Sequence, residues 1–465
     1  MSMICEWIDH EVFGAKDGAI LFGIDQGSLF YIDEETRNAL SRWNNRPTLD
    51  LDEVPIADRE ILNGLRDARF LAPAGARHRL KPVDFDIASI PLTTMVLEVA
   101  QDCNLNCTYC YADGGSYGKA ARLLDPVTAR QAARKLIDDS ADRDTVTLVI
   151  FGGEPLMNMP AVEAAVAEAR SYAKDKGKQV FISLTTNGTL LTPEVIEFIH
   201  ANRIAVAISL DGPADLHDRN RPNLKGKGSY SRITTNLSAL LPGATAPVAA
   251  RVTLTPDQWS RVEEVFFHLM ELGFHEVGIA PVSPVRRELL PDAKQEDDLL
   301  QGFSVLASAF LKAAKANRLM PFTNLIDLLA RLHVGQTKSV SCGAGYGYLA
   351  VDSRGSIYVC HRLVGEEEFR VGNLDDGAAP GEIRRALDSV TCGRQEACSS
   401  CWARTLCSGG CHYENHLREN QLGLPPGGSC DFIRRWFQLG IEVYAELRRS
   451  GAEEILQRLG KRLKC

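Results

Sequence analysis

Three cysteines on one short loop constrain this chain more than any other feature. Cys103, Cys107 and Cys110 follow a C-x3-C-x2-C spacing directly after an apolar stretch that predicts a strand. In a cubane iron–sulfur cluster each thiolate binds its own iron, so three thiolates leave the fourth iron open to a small molecule. Zinc loops usually pair two C-x2-C elements and close at four ligands, and no fourth cysteine stands near this loop. The spacing therefore favours a catalytic iron–sulfur site over a zinc loop or buried thiols.

The composition limits which binding partners and which cellular compartment we expect for this chain. The chain has 465 residues, a length with room for about two to four domains. A net charge of -8 and the lack of a basic stripe argue against nucleic acid as a partner. No apolar run approaches the ~18 residues of a membrane span, so we expect no membrane partner. Thirteen cysteines, with no recognisable export signal, indicate metal ligands in a reducing cytoplasm.

The middle of the chain alternates strands with helices. Asp125-Pro126 and Thr192-Pro193 are pairs of an N-cap and a first-turn proline, and each predicts the start of a helix. Repeated strand–helix units predict a parallel sheet with right-handed crossovers. The first cysteine motif follows the first strand, at the end where barrel enzymes keep their reacting residues. The predicted strands are 93–100, 147–152, 180–186, 204–210, 248–255 and 276–280.

The chain divides into four predicted segments. In the first, an apolar hairpin precedes a helix over 34–43 that Asp33 would cap, and a second helix follows at 57–68. This order is typical of a winged-helix-like domain, with a purely structural cap as the alternative. The third segment, 336–432, is rich in Cys, Gly and short turns. The apolar pattern of the fourth segment, 433–465, predicts one or two amphipathic helices. The segments are 1–88, 89–335, 336–432 and 433–465.

Short polar motifs follow three of the predicted strands: Phe151-Gly-Gly-Glu-Pro155, Thr185-Thr-Asn-Gly188 and Ser209-Leu-Asp-Gly212. Together with the cysteine loop they resemble the radical S-adenosylmethionine (radical SAM) enzymes, and the resemblance extends over 89–432. It implies an α/β fold with a partial (β/α)6 TIM-like barrel. It also implies that S-adenosylmethionine binds the open iron and is cleaved reductively to a 5′-deoxyadenosyl radical.

The resemblance assigns a cofactor site residue by residue. Arginine grips a carboxylate bidentately, so Arg221, Arg232 and Arg251 are candidates to bind the carboxylate of the cofactor, and the choice among them stays open. The other residues implied at the cofactor are Tyr109, Gly152, Gly153, Glu154, Pro155, Asn187, Ser209 and Asp211.

The cysteines of the third segment resemble the SPASM extension, which carries two auxiliary [4Fe–4S] clusters. Two zinc sites with four thiolates each are the alternative that the spacing leaves open. The resemblance implies three [4Fe–4S] clusters in all, and Cys5 and Cys465 as spectators. The ligands implied for the distal cluster are Cys398, Cys401, Cys407 and Cys430. Those implied for the nearer cluster are Cys342, Cys360 and Cys411, with the fourth iron open or bound by Cys392.

Residues 341–345 and 358–369 resemble maturases that form thioether crosslinks in cysteine-containing peptides, such as those of quinohemoprotein amine dehydrogenase or of ribosomal peptides. This resemblance implies a peptide or small protein subunit as substrate, an N-terminal peptide-recognition domain and a reductant of the flavodoxin or ferredoxin type. His361 follows Cys360 where sulfatase-activating maturases carry an Asp base, and it is the candidate base here.

Three alternatives to thioether formation remain. The first is formylglycine formation in sulfatases by an anaerobic maturase, and the second is carbon–carbon crosslinking of a peptide. The third is a non-catalytic iron–sulfur or zinc protein that binds and delivers peptides. Product mass after alkylation separates these reactions: a thioether loses two hydrogens and hides a thiol from alkylation, whereas oxidation of cysteine to formylglycine loses the sulfur.

Overall fold

The N-terminal part of the chain forms two small antiparallel sheets and two helices. The computed structural model describes residues 4–15, 17–76, 86–388, 396–425, 428 and 430–462. The N-terminal elements are β1 (Ile4–Trp7), β2 (His10–Ala15), β3 (Gly18–Gly23), β4 (Ser28–Ile32), α1 (Glu34–Trp43), β5 (Thr48–Asp50), α2 (Ile56–Asp67) and β6 (Leu71–Pro73). The strand orders are β5-β1-β6 and β2-β3-β4.

The hairpin and the two helices predicted for this part are confirmed. β3 and β4 are antiparallel neighbours, and Asp33 caps α1 by accepting a hydrogen bond from the Thr36 N–H at 2.8 Å. β3 is buried on both faces: Leu21 packs with Leu62 in a small N-terminal core, whereas Phe22 faces the main core. Because successive side chains of a strand point to opposite faces, one strand joins two cores. The winged-helix assignment stays a prediction.

One large sheet dominates the rest of the chain. Its order is β13-β12-β11-β10-β9-β7-β14-β15-β16-β17, with β8 paired to β7. All six predicted strands are present, and their ends differ from the prediction by at most two residues. These strands are parallel to their neighbours. The strands are β7 (Thr94–Gln101), β8 (Arg122–Leu123), β9 (Thr145–Gly152), β10 (Gln179–Thr186), β11 (Ala205–Ser209), β12 (Val248–Leu254), β13 (Glu276–Pro281), β14 (Tyr348–Val351), β15 (Ser356–Tyr358), β16 (Arg370–Asn373) and β17 (Gly377–Ala378).

Helices cross between the parallel strands and cover the sheet. Asp125 and Thr192 cap α3 and α5, each with a proline in the first turn, as predicted. The two C-terminal amphipathic helices are also present. The helices are α3 (Pro126–Asp138), α4 (Met159–Asp175), α5 (Pro193–Ala201), α6 (Ala214–Asn220), α7 (Tyr230–Leu240), α8 (Val262–Glu271), α9 (Ala293–Lys315), α10 (Thr323–His333), α11 (Pro380–Asp388), α12 (Glu396–Ser399), α13 (Arg404–Cys407), α14 (His412–His416), α15 (Cys430–Arg449) and α16 (Glu453–Arg462).

The cysteine-rich segment continues the large sheet, which the sequence did not predict. β14 pairs with β7 in parallel, with Tyr348 opposite Thr94, and β15 turns back against β14. Leu349, Val351 and Ile357 from these short strands are buried in the main core. These short strands therefore help to hold the cysteine-rich segment folded, because they bury apolar side chains in the same core as the barrel.

Candidate active site

The cysteine loop begins where β7 ends, at the carboxyl edge of the parallel sheet. Burial raises the pKa of the Cys103 thiol to about 12. Its sulfur accepts hydrogen bonds from the Leu105 N–H at 3.4 Å and from the Asn187 side-chain amide at 3.8 Å. Cys107 and Cys110 lie close enough to interact electrostatically with Cys103. Three thiols with N–H donors directed at a sulfur fit iron–sulfur ligation, since the metal supplies the positive charge that buried thiolates need.

Backbone hydrogen bonds hold the loop against the segment that follows α6. The Asn106 N–H donates to the Pro222 carbonyl at 2.8 Å, and the Thr108 N–H donates to the Asn220 carbonyl at 2.9 Å. These bonds join residues more than 100 positions apart in the chain. Contacts within the protein therefore determine the shape of the loop independently of any metal.

The two glycines of the Gly-Gly-Glu-Pro motif allow close contact between backbone segments. Gly152 has a φ of +147°, and a Cβ there would collide with the Ala100 backbone. A Cβ on Gly153 would collide with the Asp102 carbonyl and with the Cα of Gly115. The motif is thus pressed against the start of the cysteine loop, which requires residues without side chains.

Glu154 of the same motif is fully buried and connects β9 to the end of β10. Its carboxylate accepts hydrogen bonds from the Leu156 N–H at 3.0 Å, the Thr186 hydroxyl at 2.7 Å and the Asn187 N–H at 2.7 Å. Burial raises its pKa to about 7. Asn187 then donates to the Asn104 side-chain oxygen at 2.8 Å. Glu154 therefore positions Asn187 against the cysteine loop.

Asp211 is the centre of a buried ionic network at the end of β11. It accepts hydrogen bonds from Arg221 at 2.8 Å and 3.2 Å, from the Thr253 N–H at 2.9 Å and from the Tyr109 hydroxyl. The Arg221 guanidinium lies over the Tyr109 ring, 5.3 Å from its centroid. His217 accepts the Asp211 N–H at 3.2 Å, and burial lowers the His217 pKa to about 4. The network ties the cysteine loop to β11 through Tyr109.

The three candidate arginines differ in what they already bind. Arg221 is buried and paired with the Asp211 carboxylate. Arg232 donates to the Thr189 carbonyl at 2.6 Å. Arg251 is exposed on β12 and is the register partner of Ser209 on β11, so both side chains point to the same face of the sheet. Among the described residues, no hydrogen bond or ion pair engages the Arg251 guanidinium, which leaves it available for an anion.

The structure brings the C-terminal cysteines together in two groups. Burial raises the pKa of Cys360 to about 12 and that of Cys407 above its usual range, and in both cases neighbouring thiols add to the rise. The predicted ligand Cys392 lies outside the described residues, as does Cys465. The thiols that interact with Cys360 are those of Cys342 and Cys411. The thiols that interact with Cys407 are those of Cys398, Cys401 and Cys430.

Arg362 links the first cysteine loop to the nearer C-terminal group. Its N–H donates to the Cys360 sulfur at 3.5 Å, and its guanidinium lies 3.9 Å from the Cys411 sulfur. The same guanidinium lies over two rings, 5.0 Å from the centroid of Tyr111 and 4.5 Å from that of Tyr413. Sequence reasoning missed this link, although a Tyr stands next to or near a ligand cysteine in both motifs.

His361 lies within the buried space between the two groups of thiols. Its Nδ1 is hydrogen-bonded to the Tyr348 hydroxyl, and its ring centroid lies 4.9 Å from that of Phe151. Burial lowers its pKa to about 3. The Tyr117 hydroxyl lies within hydrogen-bond distance of both the His361 carbonyl, at 3.0 Å, and Glu98 Oε1, at 3.2 Å, and its single proton is shared between these two acceptors. The predicted base therefore belongs to a buried cluster that sequence reasoning did not anticipate.

Glu98 is the member of that cluster with the clearest signal in the sequence. It stands in β7, where hydrophobic residues surround it on both sides, and it is fully buried. Burial raises its pKa to about 8. A lone acid in an apolar strand is uncommon because a buried charge is costly, and that rarity could have singled it out.

Where residues are described, no three His, Cys, Asp or Glu side chains converge on a point that would hold a single metal ion. A cubane cluster does not require such convergence, because each thiolate binds a different iron.

These observations define a partial parallel barrel with a three-thiol loop at the carboxyl end of its first strand. Residues 97–242 match the family described as the Radical SAM superfamily. This part of the chain is a radical SAM domain, whose members use a [4Fe–4S] cluster and S-adenosylmethionine.

Several curated proteins are similar to most of the chain. A serine-type anaerobic sulfatase-maturating enzyme of Bacteroides thetaiotaomicron is 28% identical over 61% of this chain and 72% of its own length. A cysteine-type anaerobic sulfatase-maturating enzyme of Clostridium novyi is 22% identical over 75% of this chain and 95% of its own. An AdoMet-dependent heme synthase of Methanosarcina barkeri is 26% identical over 68% and 93%.

Solved structures share the fold. A histidine-tagged anSMEcpe with bound AdoMet superposes with a TM-score of 0.67 at 19% identity, over 79% of this chain and 98% of the other. SuiB of Streptococcus suis bound to its precursor peptide SuiA has a TM-score of 0.53 at 16% identity, over 92% and 100%. The predicted partial TIM-like barrel is confirmed by these matches. Within the described residues, none of the helices has the length and apolar character that crossing a membrane requires.

Proposed function

We propose that this protein is a radical SAM maturase that forms thioether crosslinks within a cysteine-containing peptide or protein subunit. The observation that carries the proposal is the grouping of Cys342, Cys360 and Cys411. Largely buried side chains, Arg362 among them, lie between this group and the radical SAM cysteine loop. A three-thiol group is suited to a second cluster with an open iron, and an open iron can bind a substrate thiolate. The names of the relatives support a maturase that acts on proteins.

The residues present fit the cofactors of a radical SAM domain. Cys103, Cys107 and Cys110 would hold the cluster, and the exposed Arg251 would bind the carboxylate of S-adenosylmethionine, since its guanidinium is uncommitted. When bound, this pair supplies hydrogen-atom abstraction from an unactivated carbon. Glu154 orients Asn187 and the loop through the hydrogen bonds described above.

The remaining assignments follow the same proposal. The thiols of the distal group would hold a closed cluster, and the N-terminal sheets would recognise the peptide. A flavodoxin or ferredoxin-type protein would supply electrons. None of the described cysteines forms a disulfide, which agrees with a reducing cytoplasm as the proposed place of action.

Formylglycine formation in a sulfatase is the second candidate, and the sulfatase-maturating relatives favour it. Against it, His361 stands where such maturases carry Asp, and its Nδ1 is already bonded to Tyr348. The two reactions leave different products. A thioether keeps the sulfur and loses two hydrogens, whereas oxidation of cysteine to formylglycine loses the sulfur.

The first experiment measures iron, sulfide and 5′-deoxyadenosine in anaerobically reconstituted protein. We expect about twelve irons per chain, about four for each cubane, and deoxyadenosine release driven by dithionite. Zinc in place of iron, or no deoxyadenosine, would leave a non-catalytic peptide-binding protein as the better account.

The second experiment finds the substrate. The protein is co-expressed with short cysteine-containing open reading frames from beside its gene, and each peptide is analysed by mass spectrometry after alkylation. We expect one peptide to lose two hydrogens for each thiol that escapes alkylation. A product that has lost its sulfur would contradict thioether formation and support formylglycine formation instead.

A further inference from the structure

Three acids are fully buried in the barrel, and two of them have partners for both carboxylate oxygens. Asp211 accepts hydrogen bonds on both oxygens, from Arg221 and from the Thr253 N–H among others. Glu154 also accepts on both oxygens. Glu98 is different: Tyr117 lies at hydrogen-bond distance from Oε1, while Oε2 has no partner among the described residues. Buried polar atoms are almost always paired, so this oxygen is suited to a partner from outside the described part of the chain.

Tyr111 and Tyr348 connect Glu98 to the thiols, because each interacts electrostatically with Glu98 and with Cys360. Glu98 is the register partner of Phe151, whose ring packs against His361 beside Cys360. Tyr111, next in the chain after Cys110, interacts electrostatically with both Glu98 and Cys360. Glu98 is therefore placed near a substrate that would react at the first loop and bind at Cys360.

We propose that Glu98 is the base that takes the proton of the substrate cysteine thiol. In this step the S–H bond breaks, its electron pair stays on the sulfur, and the proton bonds to Oε2 of Glu98. No electron is exchanged with the protein. The step deepens the proposed function and rests on it, because it requires a thiol-containing peptide in the barrel. In thioether formation the step prepares the sulfur for binding, because the thiolate is the form of the thiol that binds metal.

The charge on Glu98 depends on its neighbours as well as on burial. The raised pKa of Glu98, about 8, lies near the working range of a general base. The base is active when deprotonated, so product formation should rise as the pH rises through that value. The titratable groups that act on Glu98 are Tyr111 and Tyr117 from the cysteine loop, Tyr348 from β14 and Asp352 from the turn after it.

The test uses reconstituted full-length protein, with the peptide that the wild type modifies in the co-expression screen as the probe. Glu98→Gln keeps the shape of the side chain and removes the base. We expect product to fall at least 100-fold while deoxyadenosine is still released, so that the ratio of deoxyadenosine to product rises. Glu98→Asp should recover part of the product. Glu276→Gln, at the other end of the sheet in β13, is the matched control and should behave like the wild type.

Tyr117→Phe provides the readout that a merely structural role would not change. Tyr117 donates to Glu98 and so holds the Glu98 pKa down. Its loss should move the pH profile of product formation to higher pH, and Glu98→Gln should abolish that rise with pH. Product formation by Glu98→Gln near the wild-type level, or an unmoved profile in Tyr117→Phe, would overturn the assignment of Glu98. A wild type that releases no deoxyadenosine would instead overturn the proposed function.

Discussion

The two cysteine-rich regions of this protein hold their thiols in different ways. The loop at Cys103 is clamped by long-range backbone hydrogen bonds and by the glycines of the neighbouring motif. The thiols of the C-terminal region come from several separate elements, among them the four-residue helix α13 and the first residue of α15, and two of them, Cys342 and Cys430, are exposed. One site is shaped by the barrel, whereas the ligands of the other are brought together from separate and partly exposed elements.

From this difference we infer which part of the protein depends on metal for its structure. A site formed by protein contacts persists without its cluster, whereas ligands on separate, partly exposed elements gain their order from the metal that they bind. We therefore expect that loss of the cluster at the Cys103 loop abolishes activity, and that loss of a cluster in the C-terminal region lowers the stability of the fold.

The largest effect is expected for the triple substitution of Cys103, Cys107 and Cys110 by Ala. Deoxyadenosine release should fall to the level of a protein-free control, because no ligand for the catalytic cluster remains. The midpoint of thermal unfolding should change little, since the loop keeps its backbone hydrogen bonds. A large drop in that midpoint would remove the proposed difference between the regions.

Substitution of Cys401 by Ala tests whether the C-terminal cysteine-rich region depends on metal for its stability. It should lower the iron content by up to about four per chain. It should also lower the midpoint of thermal unfolding more than the triple variant does. The effect should extend to the N-terminal sheets, because Arg404, three residues on, is bonded to Asp9 at 2.8 Å and to Asp25 at 2.7 Å. Protease sensitivity of the N-terminal part is the second readout. An unchanged midpoint would show that this region is also shaped without metal.

Asp211→Asn should destabilise the barrel edge by about 3–5 kcal/mol, because it leaves the buried Arg221 cation without its counter-charge. Denaturant unfolding measures this free energy. The control is Asp215→Asn, which breaks an exposed pair with Arg261 and should cost less than about 1 kcal/mol. Equal effects of the two variants would contradict the view that the first region is internally organised.

Gly153→Ala should have the smallest effect, a loss of about 1–3 kcal/mol from forced packing against Asp102. Gly64→Ala is the matched control, because Gly64 lies in α2 with open space around it and Ala favours a helix by up to about 1 kcal/mol. The two variants should therefore shift the free energy of unfolding in opposite directions. A shift in the same direction would indicate that the motif is less tightly packed than the structure has it.

Much of the fold could be predicted from local patterns. The caps at Asp33, Asp125 and Thr192 and the six parallel strands depend on neighbours within a few residues, which the sequence displays directly. The role of β14 could not be predicted, since a short strand joins a sheet through a partner more than 250 residues away. Long-range pairing of this kind leaves no local period in the sequence.

The candidate site divides in the same way. The ligand loops and the motifs at the strand ends could be predicted from the chain alone, because the spacing of thiols and glycines is a local property. The folded structure was needed to find that Asp211 neutralises Arg221, that Arg251 has no partner among the described residues, and that Glu98 has one oxygen without a partner among them. The physical reason is that the state of a buried charge depends on every group that surrounds it, and these groups come from distant parts of the chain.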